Sequence, residues 1–132
     1  KERSYTENPE LCDLTIDTLG GVEHLLTFEK DEKLFSLLRL RLPKDNAPIF
    51  PELIGSAIIR ELHTYGKTVV HDQKQSNKTQ HRGLGKQLMA KAEYISRELG
   101  YKKIAVISSI GTRDYYRKLG DEREGRYMTK SL

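Results

Sequence analysis

Gln80-His81-Arg82-Gly83-Leu84-Gly85 reads Q-x-x-G-x-G and stands at the head of a strongly periodic segment. Glycine reaches backbone conformations closed to residues with a Cβ and lets the chain approach a ligand closely. The first N–H groups of a helix have no intrahelical partners, and the helix dipole makes that end positive. A turn of this kind suits a phosphate or pyrophosphate. On the hexapeptide alone, an anion site and an ordinary turn before a helix are equally good readings.

The flanking sequence supplies the context. Ile54 to Tyr65 (I-G-S-A-I-I-R-E-L-H-T-Y) is strand-like. In a helix over 83–99, Leu84, Leu88, Ala92, Ile95 and Leu99 fall on one face, and Gly100 is placed to cap its C-terminus. Lys102 to Ser108 has the pattern of a short buried strand. Thr112 can N-cap a second helix with Asp114 in its first turn, and Gly120 ends it. The tail from Glu122 to Lys130 alternates weakly and is expected to form one final strand.

Nearer the start, residues 1–10 are expected to be a linker from an upstream domain, and 11–132 a single domain. Cys12, Leu14 and Ile16 alternate with acids and Thr15, which predicts a half-buried strand with Cys12 as a small buried hydrophobe. Gly20-Gly21 turns into a second strand, Val22 to Lys30. Asp31-Glu32-Lys33 turns into a third, Leu34 to Leu42, so that the three form an antiparallel meander. Pro43, Pro48 and Pro51 then mark a loop, and residues 67–79 are polar enough to be another.

The bulk properties narrow the classes. A chain of 132 residues is one domain, and one cysteine excludes an intrachain disulfide and a Cys cluster for zinc or iron–sulfur. No apolar run is long enough to span a membrane and no signal-peptide pattern is present, so no membrane partner and a cytoplasmic location are expected. The chain begins without methionine and reads as an excised piece of a larger protein. Its net charge of +4 fits an anionic partner, although many domains with none carry as much.

Strict alternation in a strand over 58–65 puts Ile59, Glu61, His63 and Tyr65 on one side and Ile58, Arg60, Leu62 and Thr64 on the other. On residues alone, Glu61 and His63 are simplest as surface groups of an edge strand. His63 is also the best-placed side chain of the type that changes charge near neutral pH. His24, His71 and His81 have no metal-ligand spacing and read as non-catalytic. Tyr115 and Tyr116 point about 100° apart on a helix, so they cannot share one role. Arg39, Arg41 and Arg60 read equally well as a solvated basic face or as contacts to RNA; Lys74, Lys78 and Lys86 flank the Gly-rich turn.

The order strand, Q-x-x-G-x-G, helix, strand, helix with Y-Y-x-K-x-G resembles the acyl-CoA core of the GNAT acetyltransferases. L-L-R-L-R-L-P (37–43), I-R-E-L-H-x-Y-G (59–66), T-Q-H-R-G-L-G (79–85), K-I-A-V-I-S (103–108) and Y-Y-R-K-L-G (115–120) look like the acetyltransferase domain of the Elongator catalytic subunit, the tRNA uridine(34) acetyltransferase family. The resemblance implies an α/β fold: a GNAT-like mixed, mostly antiparallel sheet with a strand-helix-strand-helix core that binds acetyl-CoA. The family's two helices between the first two strands have no counterpart segment here.

It further implies that Glu61, Leu62, His63 and Thr64 line the pantetheine and thioester. Gln80, Arg82, Gly83, Leu84, Gly85 and Lys86 would hold the pyrophosphate. Tyr116 would approach the coenzyme A sulfur and protonate the departing thiolate, with Glu61 or His63 activating water; these three are the candidate catalytic residues. Tyr115 would pack, and Asp121 departs from the aromatic that the pattern expects there. The same resemblance implies tRNA as a partner, together with an upstream radical S-adenosylmethionine domain carrying an iron–sulfur cluster. Lysine N-acetylation and a non-catalytic RNA-binding or assembly role remain as alternatives.

Overall fold

Three strands begin the fold, the third with Leu38, Leu40 and Leu42 in alternation. The computed structural model describes residues 9–44, 51–65, 83–107, 122–124 and 127–132. Strands β1 (Glu10–Thr18), β2 (Gly21–Lys30) and β3 (Lys33–Pro43) form an antiparallel meander, followed by a 3-10 turn (Pro51–Leu53) and β4 (Ser56–Thr64). Helix α1 (Leu84–Glu98) then returns to β5 (Lys103–Ile107), which lies parallel to β4. Strands β6 (Glu122–Glu124) and β7 (Tyr127–Ser131) complete a sheet ordered β1-β2-β3-β4-β5-β7-β6. Among the described residues only the β4–β5 pairing is parallel, because α1 supplies the crossover.

One face of the sheet carries the core. Leu26, Leu38, Leu40, Ile59, Ile104 and Met128 are buried there with Leu84, Leu88, Met89 and Ala92 of α1. Full burial of such a side chain contributes roughly 1.5–3 kcal/mol. A smaller cluster of Leu53, Ile58, Ala105 and Tyr127 forms separately; the register places Ile58, Ala105 and Tyr127 on the opposite face.

Helix α1 follows its sequence pattern except at its end. Leu84, Leu88 and Ala92 are buried and Ile95 partly so, but Leu99 is 60% exposed. The helix stops before Leu99 can turn inward. Gly100 adopts φ 91°, its N–H donates to Arg97 O, and the Tyr101 N–H donates to Ser96 O. This pair of bonds is a Schellman C-terminus. Ser96 is buried instead, donating its hydroxyl to Ala92 O at 2.8 Å.

Three expectations are corrected. Cys12 is exposed, not buried, and Leu11, Leu14 and Ile16 are 40–56% exposed. β1 is an edge strand, and α1 packs mainly on β3, β4 and β2. The tail forms two short antiparallel strands rather than one. Strict alternation in β4 also fails: Arg39 pairs with Glu61, but the next residue, Leu40, pairs with Ile59. Arg60 is therefore an extra residue, a β-bulge, and the side-chain phase slips by one beyond it.

As the sequence suggests, no helix intervenes between β1 and β2, which are joined directly by Leu19-Gly20. Among the described residues no helix is long and apolar enough to cross a membrane. Of the expected linker at 1–10, residues 1–8 lie outside the described residues and Glu10 already begins β1; the loop at 67–79 and the second helix at 112–120 also lie outside the described residues.

Candidate functional site

The bulge decides how β4 presents its side chains. Leu62 stands opposite Leu38, on the helix-covered face with Ile59, and packs against the core. Glu61 stands opposite Arg39 and His63 opposite Leu37, on the other face. Glu61 and His63 therefore share a side as expected, but with Ile58 rather than Ile59.

The two edges of β4 also differ. Pairing with β5 runs only from Ser56 to Ile59, whereas pairing with β3 continues to Thr64. From Arg60 to Thr64, the edge of β4 away from β3 meets no strand among the described residues. Backbone donors and acceptors along such an edge can bind an extended ligand in the manner of an added strand.

Because α1 runs back along the sheet, its N-terminus lies towards the end of the sheet where β4 finishes. Gly83 precedes the helix with φ 83°, a left-handed conformation that side chains rarely adopt. Its carbonyl accepts from the Gln87 N–H at 3.0 Å. The N–H groups of Leu84, Gly85 and Lys86 belong to the first turn, where no helical acceptor is available. The open edge and the helix N-terminus thus come from segments that adjoin the same end of the sheet.

On the face away from α1, charged groups form a continuous network. Glu23 is 13% exposed in its side chain, and its carboxylate meets Arg39 Nη1 at 3.8 Å, Arg41 Nη1 at 3.4 Å and Arg60 Nη1 at 3.3 Å. Arg41 also donates to Thr18 Oγ1 at 2.8 Å and Leu19 O at 3.1 Å. Arg39 Nε donates to Glu61 Oε1 at 3.1 Å, and Glu61 Oε2 lies 3.8 Å from His63 Nε2. The His63 ring stacks on Tyr65 with centroids 5.9 Å apart. The three arginines do form one surface, as their sequence positions allow, but it contains acids that offset much of their charge. Glu23, which holds them, was not singled out by its sequence; its place opposite Arg41 in the meander is the signal.

His24 sits outside this network, with Nδ1 2.8 Å from Asp13 Oδ1. Gln80, Arg82, Tyr115, Tyr116 and Asp121, together with His71, Lys74, Lys78 and His81, lie outside the described residues.

A mixed sheet opened between its parallel strands, with a glycine-headed helix beside the opening, is the arrangement expected of the family, and the acetyltransferase (GNAT) family pattern matches residues 13–121. The chain belongs to that family. Among curated relatives, it is 49% identical to the Elongator complex protein 3 of Danio rerio over 86% of this chain and 21% of the relative. It is 40% identical to the tRNA uridine(34) acetyltransferase of Dehalococcoides mccartyi over 94% of this chain and 28% of the relative. The chain thus spans less than a third of the length of these relatives. A solved structure, the N-terminally truncated Elp3 of Methanocaldococcus infernus, superposes with a TM-score of 0.78 at 38% identity, covering 94% of this chain and 30% of that one. A Bacillus subtilis acetyltransferase solved in complex with CoA has a TM-score of 0.51 at 16% identity, covering 93% and 99%, and shares the fold.

Proposed function

We propose that this chain binds acetyl-CoA and supplies the acetyl group for C5 carboxymethylation of uridine 34 in tRNA, as one domain of a longer enzyme. The observation that carries the reading is the edge of β4 from Arg60 to Thr64, which meets no strand among the described residues, together with the Gly83-headed helix. The likeness to relatives named for tRNA uridine(34) acetylation directs it towards tRNA.

In this reading the β4 backbone binds the pantetheine amides, flanked by Glu61, Leu62, His63 and Thr64. The first-turn N–H groups of Leu84, Gly85 and Lys86 receive the pyrophosphate, assisted by Gln80 and Arg82. Tyr116 gives a proton to the departing thiolate. Glu61 and His63, adjacent on the face away from α1, order and activate the water that attacks the thioester carbonyl. With one cysteine, this chain offers no ligand set for an iron–sulfur cluster. Radical S-adenosylmethionine chemistry would belong to another part of the longer protein. The reading implies a cytoplasmic enzyme.

Lysine N-acetylation would use the same cofactor site. The direct β1–β2 turn disfavours it, because the helices that commonly wall a peptide groove are missing at that point. Calorimetry and an acetyl-CoA cleavage assay on the longer protein, with and without tRNA, test the choice. Binding of acetyl-CoA and stimulation of its cleavage by tRNA are expected. Affinity of the 132-residue chain alone for tRNA should be weak and fall with salt at a shallow slope, roughly 0.9 per phosphate neutralised on a duplex. Ready acetylation of lysine peptides with indifference to tRNA would overturn the reading.

A further inference from the structure

We propose that Arg39 is a positioning residue that holds Glu61 against His63, and that Glu23 anchors Arg39. The functional consequence rests on the acetyltransferase reading above; the geometry does not.

Arg39 stands directly across from Glu61 at the first pairing beyond the bulge. Its Nε donates to Glu61 Oε1 at 3.1 Å, which leaves Oε2 as the oxygen turned to His63 Nε2, 3.8 Å away. Glu61 is 41% exposed, and a glutamate side chain with that much freedom samples several rotamers unless something holds it. Arg39 is held in turn, with Nη1 3.8 Å from Glu23 Oε1. Glu23 Oε2 is fixed by Arg41 and Arg60, and Arg41 is tied to the β1–β2 turn through Thr18 and Leu19. The bulge matters here because it sends both Arg60 and Glu61 to the face that carries Glu23.

Stability gives a weak reason for such an arrangement. Ion pairs as exposed as Arg39 and Glu61 typically contribute about 0–1 kcal/mol. What the network does achieve is a defined carboxylate orientation beside a histidine, on the stretch of β4 that has no β5 partner. The guanidinium suits the task because its rigid fork reaches two carboxylates at once, which a lysine ammonium on a flexible stem does poorly.

The test has two readouts. Long-range 1H–15N spectra of the 132-residue chain report which ring nitrogen of His63 carries the proton. Arg39→Ala and Glu61→Ala should each shift the His63 tautomer population away from Nε2–H, in the same direction. The double variant should add nothing, and Arg39→Lys should restore part of the shift. In the longer enzyme, Arg39→Ala should lower kcat for acetyl-CoA cleavage about tenfold with KM unchanged, a part of the roughly 100- to 10,000-fold that acid–base groups supply. The loss should vanish when Glu61 is already alanine, since residues acting as a unit are not additive. A His63 spectrum unchanged by Arg39→Ala but altered by Glu61→Ala would overturn the proposal, as would additive effects. Failure of the parent to bind or cleave acetyl-CoA would instead sink the acetyltransferase reading, and the spectra would still decide the role of Arg39.

Discussion

Ile59 and Leu62, three positions apart in β4, face the same side of the sheet. In a regular strand an odd separation places two side chains on opposite faces. Here Ile59 opposes Leu40 and Leu62 opposes Leu38, because Arg60 is bulged out between the two pairings. The bulge lies where β4 leaves β5, so the start of the open edge and the change of phase coincide.

The glycine-headed turn gives the most direct test of the cofactor site. Gly83→Glu combined with Gly85→Glu introduces bulk and negative charge where the pyrophosphate is expected. At Gly83 the φ of 83° adds backbone strain of roughly 1–2 kcal/mol for a residue with a Cβ. Acetyl-CoA binding by calorimetry should disappear while circular dichroism shows a folded chain. Unchanged affinity would remove the site from this turn.

Tyr116→Phe removes a hydroxyl and little volume. Cofactor affinity should be largely retained, and cleavage of acetyl-CoA by the longer enzyme should fall by about 100- to 10,000-fold. Tyr115→Ala should instead lower the melting temperature. Normal turnover by Tyr116→Phe would exclude it as the proton donor.

Packing separates two leucines that look alike in sequence. Leu88 is fully buried on the sheet-facing side of α1, and Leu88→Ala should cost about 2–5 kcal/mol in urea denaturation. Leu14 is 56% exposed on β1, and Leu14→Ala should change stability by no more than about 0.5 kcal/mol. Equal losses at the two positions would contradict the exposed edge strand.

Glu23 should matter more than its place in an ordinary strand suggests. Glu23→Gln leaves three guanidiniums close together without the carboxylate that gathers them. The chain should lose about 1–3 kcal/mol, as when a charged hydrogen-bonding partner is removed, and added salt should recover part of it by screening repulsion. A melting temperature equal to that of the parent at low salt would show that the cluster is not held by Glu23.

Much of the organisation was legible in the chain. Alternating leucines in 34–42, the helical spacing from Leu84 to Ile95 and the capping glycine at 100 are local signals, and each follows from backbone periodicity or permitted φ. The absence of helices between the first two strands was equally local, since Gly20-Gly21 leaves no room for them. The family, too, could be read from motifs that stand within short stretches.

Only the tertiary structure decided the rest. Cys12, Leu14 and Ile16 carry the pattern of a half-buried strand, yet burial requires a neighbour, and α1 packs mainly on β3, β4 and β2. The phase of β4 depends on one unpaired residue, Arg60, which is visible only once β3 is laid beside it. The gathering of Glu23, Arg39, Arg41, Arg60, Glu61 and His63 depends on pairing across three strands. Periodicity along a chain specifies which residues can face together; register between strands determines which ones meet.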